Sequence, residues 1–135
     1  MTSATRYLLV VYVAEERFHG RVPSGYVAEA VDRSPATATE ALQRLEAEGL
    51  VSYEPYEGVT LTDAGRERAA ESYDALRTLS RFFREVLDVP DYEREALAVV
   101  DTVSLQVADR IETAVLPDPD QADDEPPAIL TPDEE

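Results

Sequence analysis

Between Ser34 and Leu50 the sequence runs SPATATEALQRLEAEGL, and this capped segment, together with the residues just after it, constrains the fold more than any other. Ser34 is placed to cap a helix, Pro35 fits a first turn where a missing N–H is harmless, and Gly49 supplies the left-handed residue that ends it. Ala38, Leu42 and Leu45 recur at helical spacing and form a core-facing side, while Thr37, Thr39, Glu40, Gln43 and Arg44 fall largely on other faces. After Gly49 the period changes. Leu50 to Glu54 alternates apolar and polar residues, Pro55-Tyr56-Glu57-Gly58 is turn chemistry, and Val59-Thr60-Leu61 returns as a second strand. A capped helix joined this tightly to a hairpin leaves few architectures open.

The residues upstream narrow them further. Tyr7, Leu8, Val11, Tyr12 and Val13 recur at helical spacing in a segment that ends near Gly20. The one histidine, His19, stands at that helix end. Ser24 is expected to cap a second helix running to about Val31, with Val27, Ala28 and Val31 as its apolar side, and Asp32-Arg33 turns the chain into Ser34. Two short helices and then a hairpin predict a winged helix-turn-helix. The small residues opening the Ser34 helix would let its backbone approach the edges of DNA bases. Arg21, Arg33, Arg44 and Arg66 are candidate phosphate or base contacts. Ser34, Thr37, Thr39 and Gln43 are candidate groove-facing groups, and Tyr56 at the hairpin tip could donate to a phosphate.

Thr62 is placed to cap a long helix from Asp63 to about Asp88, with Ala69, Tyr73, Leu76, Leu79, Phe82, Phe83, Val86 and Leu87 as its broad apolar face. Pro90 interrupts it. From Tyr92 to Leu116 a further helix carries Ala96, Val100, Val103, Val107, Ile111 and Val115 at spacings of three or four. That much apolar surface beside one small unit predicts a homodimer, with Tyr7, Val11, Leu79, Phe82, Phe83, Val100, Val103 and Val107 as interface candidates. Residues 118–135 are acidic and proline-rich with one apolar island, Ala128-Ile129-Leu130, and are expected to be disordered. The predicted division is therefore a winged helix at 1–62, a helical dimerisation region at 63–117 and an acidic tail at 118–135, a mostly α fold.

Composition excludes several functions. There is no cysteine and only one methionine and one histidine, so disulfides and soft or imidazole-rich metal sites are unavailable. No nucleophile–base pair, phosphate loop or metal motif marks an enzyme. No apolar run reaches membrane-spanning length and the N-terminus lacks a signal-like segment, so the expected location is cytoplasmic. Twenty-nine acidic residues face 12 basic ones, a formal net charge of −17, and every basic residue is arginine. Phosphate contacts want cations, so this balance argues against nucleic acid at low salt. Acidic excess without lysine is also the composition of proteins from salt-loving organisms. At about 1 M ionic strength the Debye length falls to about 3 Å and local arginine placement decides what binds.

The strings TRYLLVVYVAEE, VAEAVDRSPATATEALQRLEAEGLVSYEPYEGVTLTDAGRERA, RFFREVL and EALAVVDTVS together resemble the diphtheria toxin repressor family of iron- and manganese-dependent transcriptional regulators, from Thr5 to Pro117. The resemblance implies a DNA-binding winged helix, whose contact positions match Ser34, Ala36, Thr37, Thr39 and Glu40, and a dimerisation region that in the family holds metal. Here the family's ligand positions carry Leu76, Ser80, Glu93, Leu97, Val100 and Asp101, and an expected N-terminal methionine or aspartate is Arg6. Leucine and valine donate nothing to a metal, which implies lost metal sensing, no cofactor, and at most a residual carboxylate pair at Glu93 and Asp101. The same space, around Leu76, Leu97 and Val100, would be open to a small-molecule effector, whose identity is not given by the sequence. The family's C-terminal SH3-like domain is expected to be missing, its place taken by the tail. The expected function is a metal-independent homodimeric regulator that binds double-stranded DNA at an inverted repeat. The alternative is a winged-helix scaffold that meets other proteins.

Overall fold

The computed structural model describes residues 4–116 and 125–132. Six α-helices and a two-stranded sheet succeed one another as α1 (Ala4–Phe18), α2 (Ser24–Val31), α3 (Pro35–Ala47), β1 (Val51–Glu54), β2 (Gly58–Leu61), α4 (Asp63–Arg81), α5 (Tyr92–Val99) and α6 (Leu105–Ala114). The chain forms two compact units, one of Met1–Ala70 with Ala128–Glu135 and one of Glu71–Pro127.

In the first unit, the buried sides of α1, α2 and α3 meet the inner face of the hairpin. Leu8, Leu9, Val10, Val11, Val27, Val31, Leu42 and Leu45 are all buried there. The caps explain the breaks. Asp32 ends α2 in the left-handed region at φ 56°, and Ser34 caps α3 by accepting from the Thr37 amide at 3.2 Å. Gly49 takes φ 80°, and the chain then enters β1. The strands are antiparallel, with Val51 opposite Leu61 and Tyr53 opposite Val59. Val22, between α1 and α2, pairs with the outer side of β2 through reciprocal backbone hydrogen bonds to Val59 of 2.8 and 2.9 Å.

Three expectations are corrected in this unit. Ser24 lies inside α2; Pro23 holds the cap position, and its carbonyl accepts from Tyr26 and Val27. The unit extends past residue 62 to Ala70 because the start of α4 is fastened to the hairpin. The Thr62 hydroxyl donates to the Gly49 carbonyl at 2.7 Å and accepts from the Gly65 amide at 3.1 Å, and Gly65 lies so close to the Leu50 carbonyl that a β-carbon would overlap it. The tail is also ordered in part. Ala128–Leu130 forms a 3-10 turn with Leu130 fully buried, so the expectation of disorder fails at the apolar island. The rest of that expectation concerns 118–124 and 133–135, which lie outside the described residues.

In the second unit the helical path of α4 continues through a π turn, Phe82–Val86, to a left-handed Asp88 at φ 53°, close to the expected end. The expected single helix from Tyr92 to Leu116 is two. Ser104 caps α6 by accepting from the Val107 amide at 3.2 Å, while the Thr102 hydroxyl and the Thr102 and Val103 amides bond back to the Val99 carbonyl. Side chains that capture both helix ends make a break more stable there than a continued helix.

Candidate nucleic-acid interface

Helix α3 presents two faces. Ala38, Ala41, Leu42 and Leu45 are buried; Ser34, Ala36, Thr37, Glu40, Gln43 and Arg44 are exposed, and Thr39 lies between. The Ser34 hydroxyl donates to the Thr37 hydroxyl at 2.9 Å, so both are fixed at the start of the helix. Only a proline ring, a methyl group and hydroxyls cover this first turn. The backbone can therefore approach a surface closely, with Glu40, Gln43 and Arg44 extending beside it.

The arginines divide by what holds them. Arg33 donates to the neighbouring Asp32 carbonyl at 3.0 Å and is otherwise exposed beside the start of α3. Among the described residues, neither Arg33 nor Arg44 has a carboxylate within salt-bridge reach. Arg21 instead donates to the Ser52 and Gly58 carbonyls, at 3.4 and 3.2 Å, and braces the hairpin. Arg66 pairs with Glu15 at 2.7 Å, and the same carboxylate accepts from the Leu61 amide at 2.8 Å. Arg21 and Arg66, expected to meet phosphate, are thus already engaged by the chain's own carbonyls and carboxylate, the Arg66 side chain with 52 % of its surface still exposed. The charges of Arg33, Arg44 and Arg6 all reach Tyr7. Burial nevertheless pushes its phenol above the ordinary tyrosine value.

Tyr56 stands at the tip of the hairpin, fully exposed, with φ 69°. Its turn is closed by the Glu57 amide donating to the Glu54 carbonyl at 3.0 Å, with Pro55 before it. Glycine or asparagine usually supplies a positive φ after such a proline, so a tyrosine there is strained.

The interface candidates fare differently. Tyr7 and Val11 belong to the core of the first unit and have no surface left for a partner, which corrects their assignment. Leu79 and Val100 are also buried, Phe82, Phe83 and Val103 are partly covered, and Val107 is exposed. Val86, Leu87, Leu105 and Val115, read from the sequence as parts of the apolar helix faces but not singled out as interface residues, are with Val107 46–53 % exposed, large apolar side chains open to solvent in the second unit. The break before Leu105 re-aims α6, and the Thr102–Ser104 capping residues were the available signal for it.

The positions that match the family's metal ligands do not form a donor set. Leu76 and Val100 are buried hydrocarbon, and the Ser80 hydroxyl is buried with no hydrogen-bond partner among the described residues. Glu93 and Asp101 each already have an interaction partner, and no group of three or more potential ligands occurs among the described residues. With leucine or valine at three of these six positions and a neutral hydroxyl at a fourth, the set does not fit a divalent cation. Among the described residues no helix is long and apolar enough to cross a membrane.

Residues 1–59 match the family model described as iron dependent repressor, N-terminal DNA binding domain. An uncharacterised HTH-type transcriptional regulator of Methanocaldococcus jannaschii is 28 % identical over 107 residues, spanning 78 % of this chain and 86 % of that protein. The transcriptional regulator MntR of Oceanobacillus iheyensis is 30 % identical over 86 residues, 63 % of this chain and 56 % of its own. Among solved structures, the manganese regulator SloR superposes with a TM-score of 0.74 at 26 % identity, covering 83 % of this chain and 53 % of its own. A manganese-dependent transcriptional repressor in complex with manganese superposes with a TM-score of 0.72 at 31 % identity, covering 82 % and 51 %. The chain thus spans about half the length of MntR and of these structures. Fold and matches define a mostly α winged-helix chain similar to transcriptional regulators and not to enzymes. The chain is similar in sequence and fold to transcriptional regulators of the diphtheria toxin repressor type, most directly over its first 59 residues.

Proposed function

We propose that this chain is a DNA-binding transcriptional regulator that inserts α3 into the major groove, works as a homodimer on an inverted repeat, and needs no metal. The observation that carries the reading is the outward face of α3: a small first turn flanked by Arg33 and Arg44, two cations with no carboxylate partner among the described residues of a chain whose net charge is −17. Glu40 can accept from a cytosine amino group and Gln43 can pair with an adenine edge, while Arg33, Arg44 and Tyr56 reach for phosphates. Two-fold pairing of the second unit, through Val86, Leu87, Leu105, Val107 and Val115, would present two such helices to paired half-sites. Metal independence is supported by the hydrocarbon at Leu76 and Val100. A protein-binding scaffold is less well supported, because Arg44 stands one turn from Glu40 and keeps that face from being purely acidic.

Gel shifts against promoter DNA across potassium chloride concentrations, with and without chelator, test the reading. Two phosphate-directed arginines per protomer predict a shallow dependence of log affinity on log salt, a slope of about −4 or less steep for the dimer, and Arg44→Ala should flatten it by about 2. Absence of any sequence-dependent shift with folded dimer present would sink DNA binding. A chelator-sensitive shift would sink metal independence alone.

A further inference from the structure

We propose that the recess where α1 and α2 receive the 3-10 turn is a peptide-binding site whose resident ligand is the chain's own segment Ala128–Leu130, and that its occupancy sets the order of the helix-turn-helix. The segment belongs to the first unit although Glu71–Pro127, the other unit, separates it in sequence from the rest of that unit, and it meets α1 and α2 there. It joins neither sheet nor α-helix. A single turn, closed by the Thr131 amide donating to the Ala128 carbonyl at 3.1 Å, shapes it. Its anchor is Leu130, at 0 % exposure. Pro126, Pro127 and Pro132 bracket the anchor and restrict the free segment, which lowers the entropy lost on docking.

Arg6 makes this a recognition site and not mere apolar cover. Its Nη2 donates to the Ile129 carbonyl at 3.4 Å and to the Ala30 carbonyl at 3.4 Å. Ala30 lies in the last turn of α2, where carbonyls lack helical partners. One nitrogen therefore grips the ligand and the end of the helix that leads through Asp32 into the Ser34 cap. Whatever binds the recess steadies that end, and loss of the ligand loosens it. A peptide with one apolar anchor binds weakly, but a tether supplies an effective concentration on the order of millimolar, so the docked and released forms lie close in free energy. None of this depends on DNA.

The test uses the full chain carrying Leu130→Asp and the synthetic peptide EPPAILTP, residues 125–132. Release of the tail should lower the melting temperature by about 5 °C or more, and millimolar peptide should restore it. The unaltered chain, already occupied, should need roughly tenfold more peptide for any response. Equal binding to both chains, or no rescue of a folded variant, overturns the proposal. If Leu130→Asp does not fold, amide exchange on the unaltered chain decides. Slow exchange at Thr131 that quickens in Arg6→Ala supports the site, and exchange as fast as in the free peptide overturns it. Protection that falls on dilution would mean tail exchange between copies and would overturn the intramolecular assignment.

Discussion

Tyr56 holds a left-handed backbone with a β-carbon, which costs a non-glycine residue roughly 1–2 kcal/mol. Tyr56→Gly should therefore stabilise the fold by about 1 kcal/mol in urea melts and, if the ring meets phosphate, weaken DNA binding several-fold in the same preparation. A gain in stability with unchanged affinity would make Tyr56 a surface residue only. Tyr7 offers a pH experiment. Its burial raises the phenol above the ordinary 10.0, so the folded chain keeps a proton that the unfolded chain has already released. That contribution is complete below the ordinary value and is lost as pH rises through the folded one. Denaturant midpoints should fall more steeply above pH 10 in the natural chain than in Tyr7→Phe; parallel curves would mean that another group governs the alkaline limb.

At the scale of elements, the junction of β1 with α4 is the tightest point. A β-carbon at Gly65 meets the Leu50 carbonyl, so Gly65→Ala should destabilise the chain by about 1–3 kcal/mol despite its better helix propensity, measurable by urea denaturation. Stability equal to or above the natural chain would show that α4 can shift away. Where structure depends on neighbours in sequence, it can be read there: Ser34, Gly49 and Thr62 punctuate as their chemistry requires. The break at Val100–Ser104 was hidden because Val100, Val103 and Val107 keep helical spacing across it, and only the hydroxyls of Thr102 and Ser104 announce it. Arg21 and Arg66 could not be separated from Arg33 and Arg44 by sequence, since the groups that occupy them lie on other elements. The docked tail was out of reach for the same reason: Ile129 meets Arg6 across 123 residues.

For the whole molecule, the decisive question is how copies associate. Leu105 and Val107 are about half exposed, so charging both should cost the isolated chain little. If the proposed pairing is right, the natural chain should sediment as a dimer and Leu105→Glu with Val107→Glu as a folded monomer. A persistent dimer would place the interface elsewhere. The hairpin is a poor alternative, for a reason that lies in its fastenings. The Tyr53 amide donates outward to the Glu46 carboxylate at 3.0 Å, the Leu61 amide to Glu15 at 2.8 Å, and Val59 exchanges both its backbone bonds with Val22. Two-stranded ribbons usually leave such groups open to recruit a strand from another chain. Here these positions on both edges are taken, so the wing is guarded against strand addition and the aggregation it seeds. At high salt, where the chain's negative charges no longer repel one another, that protection would count for most.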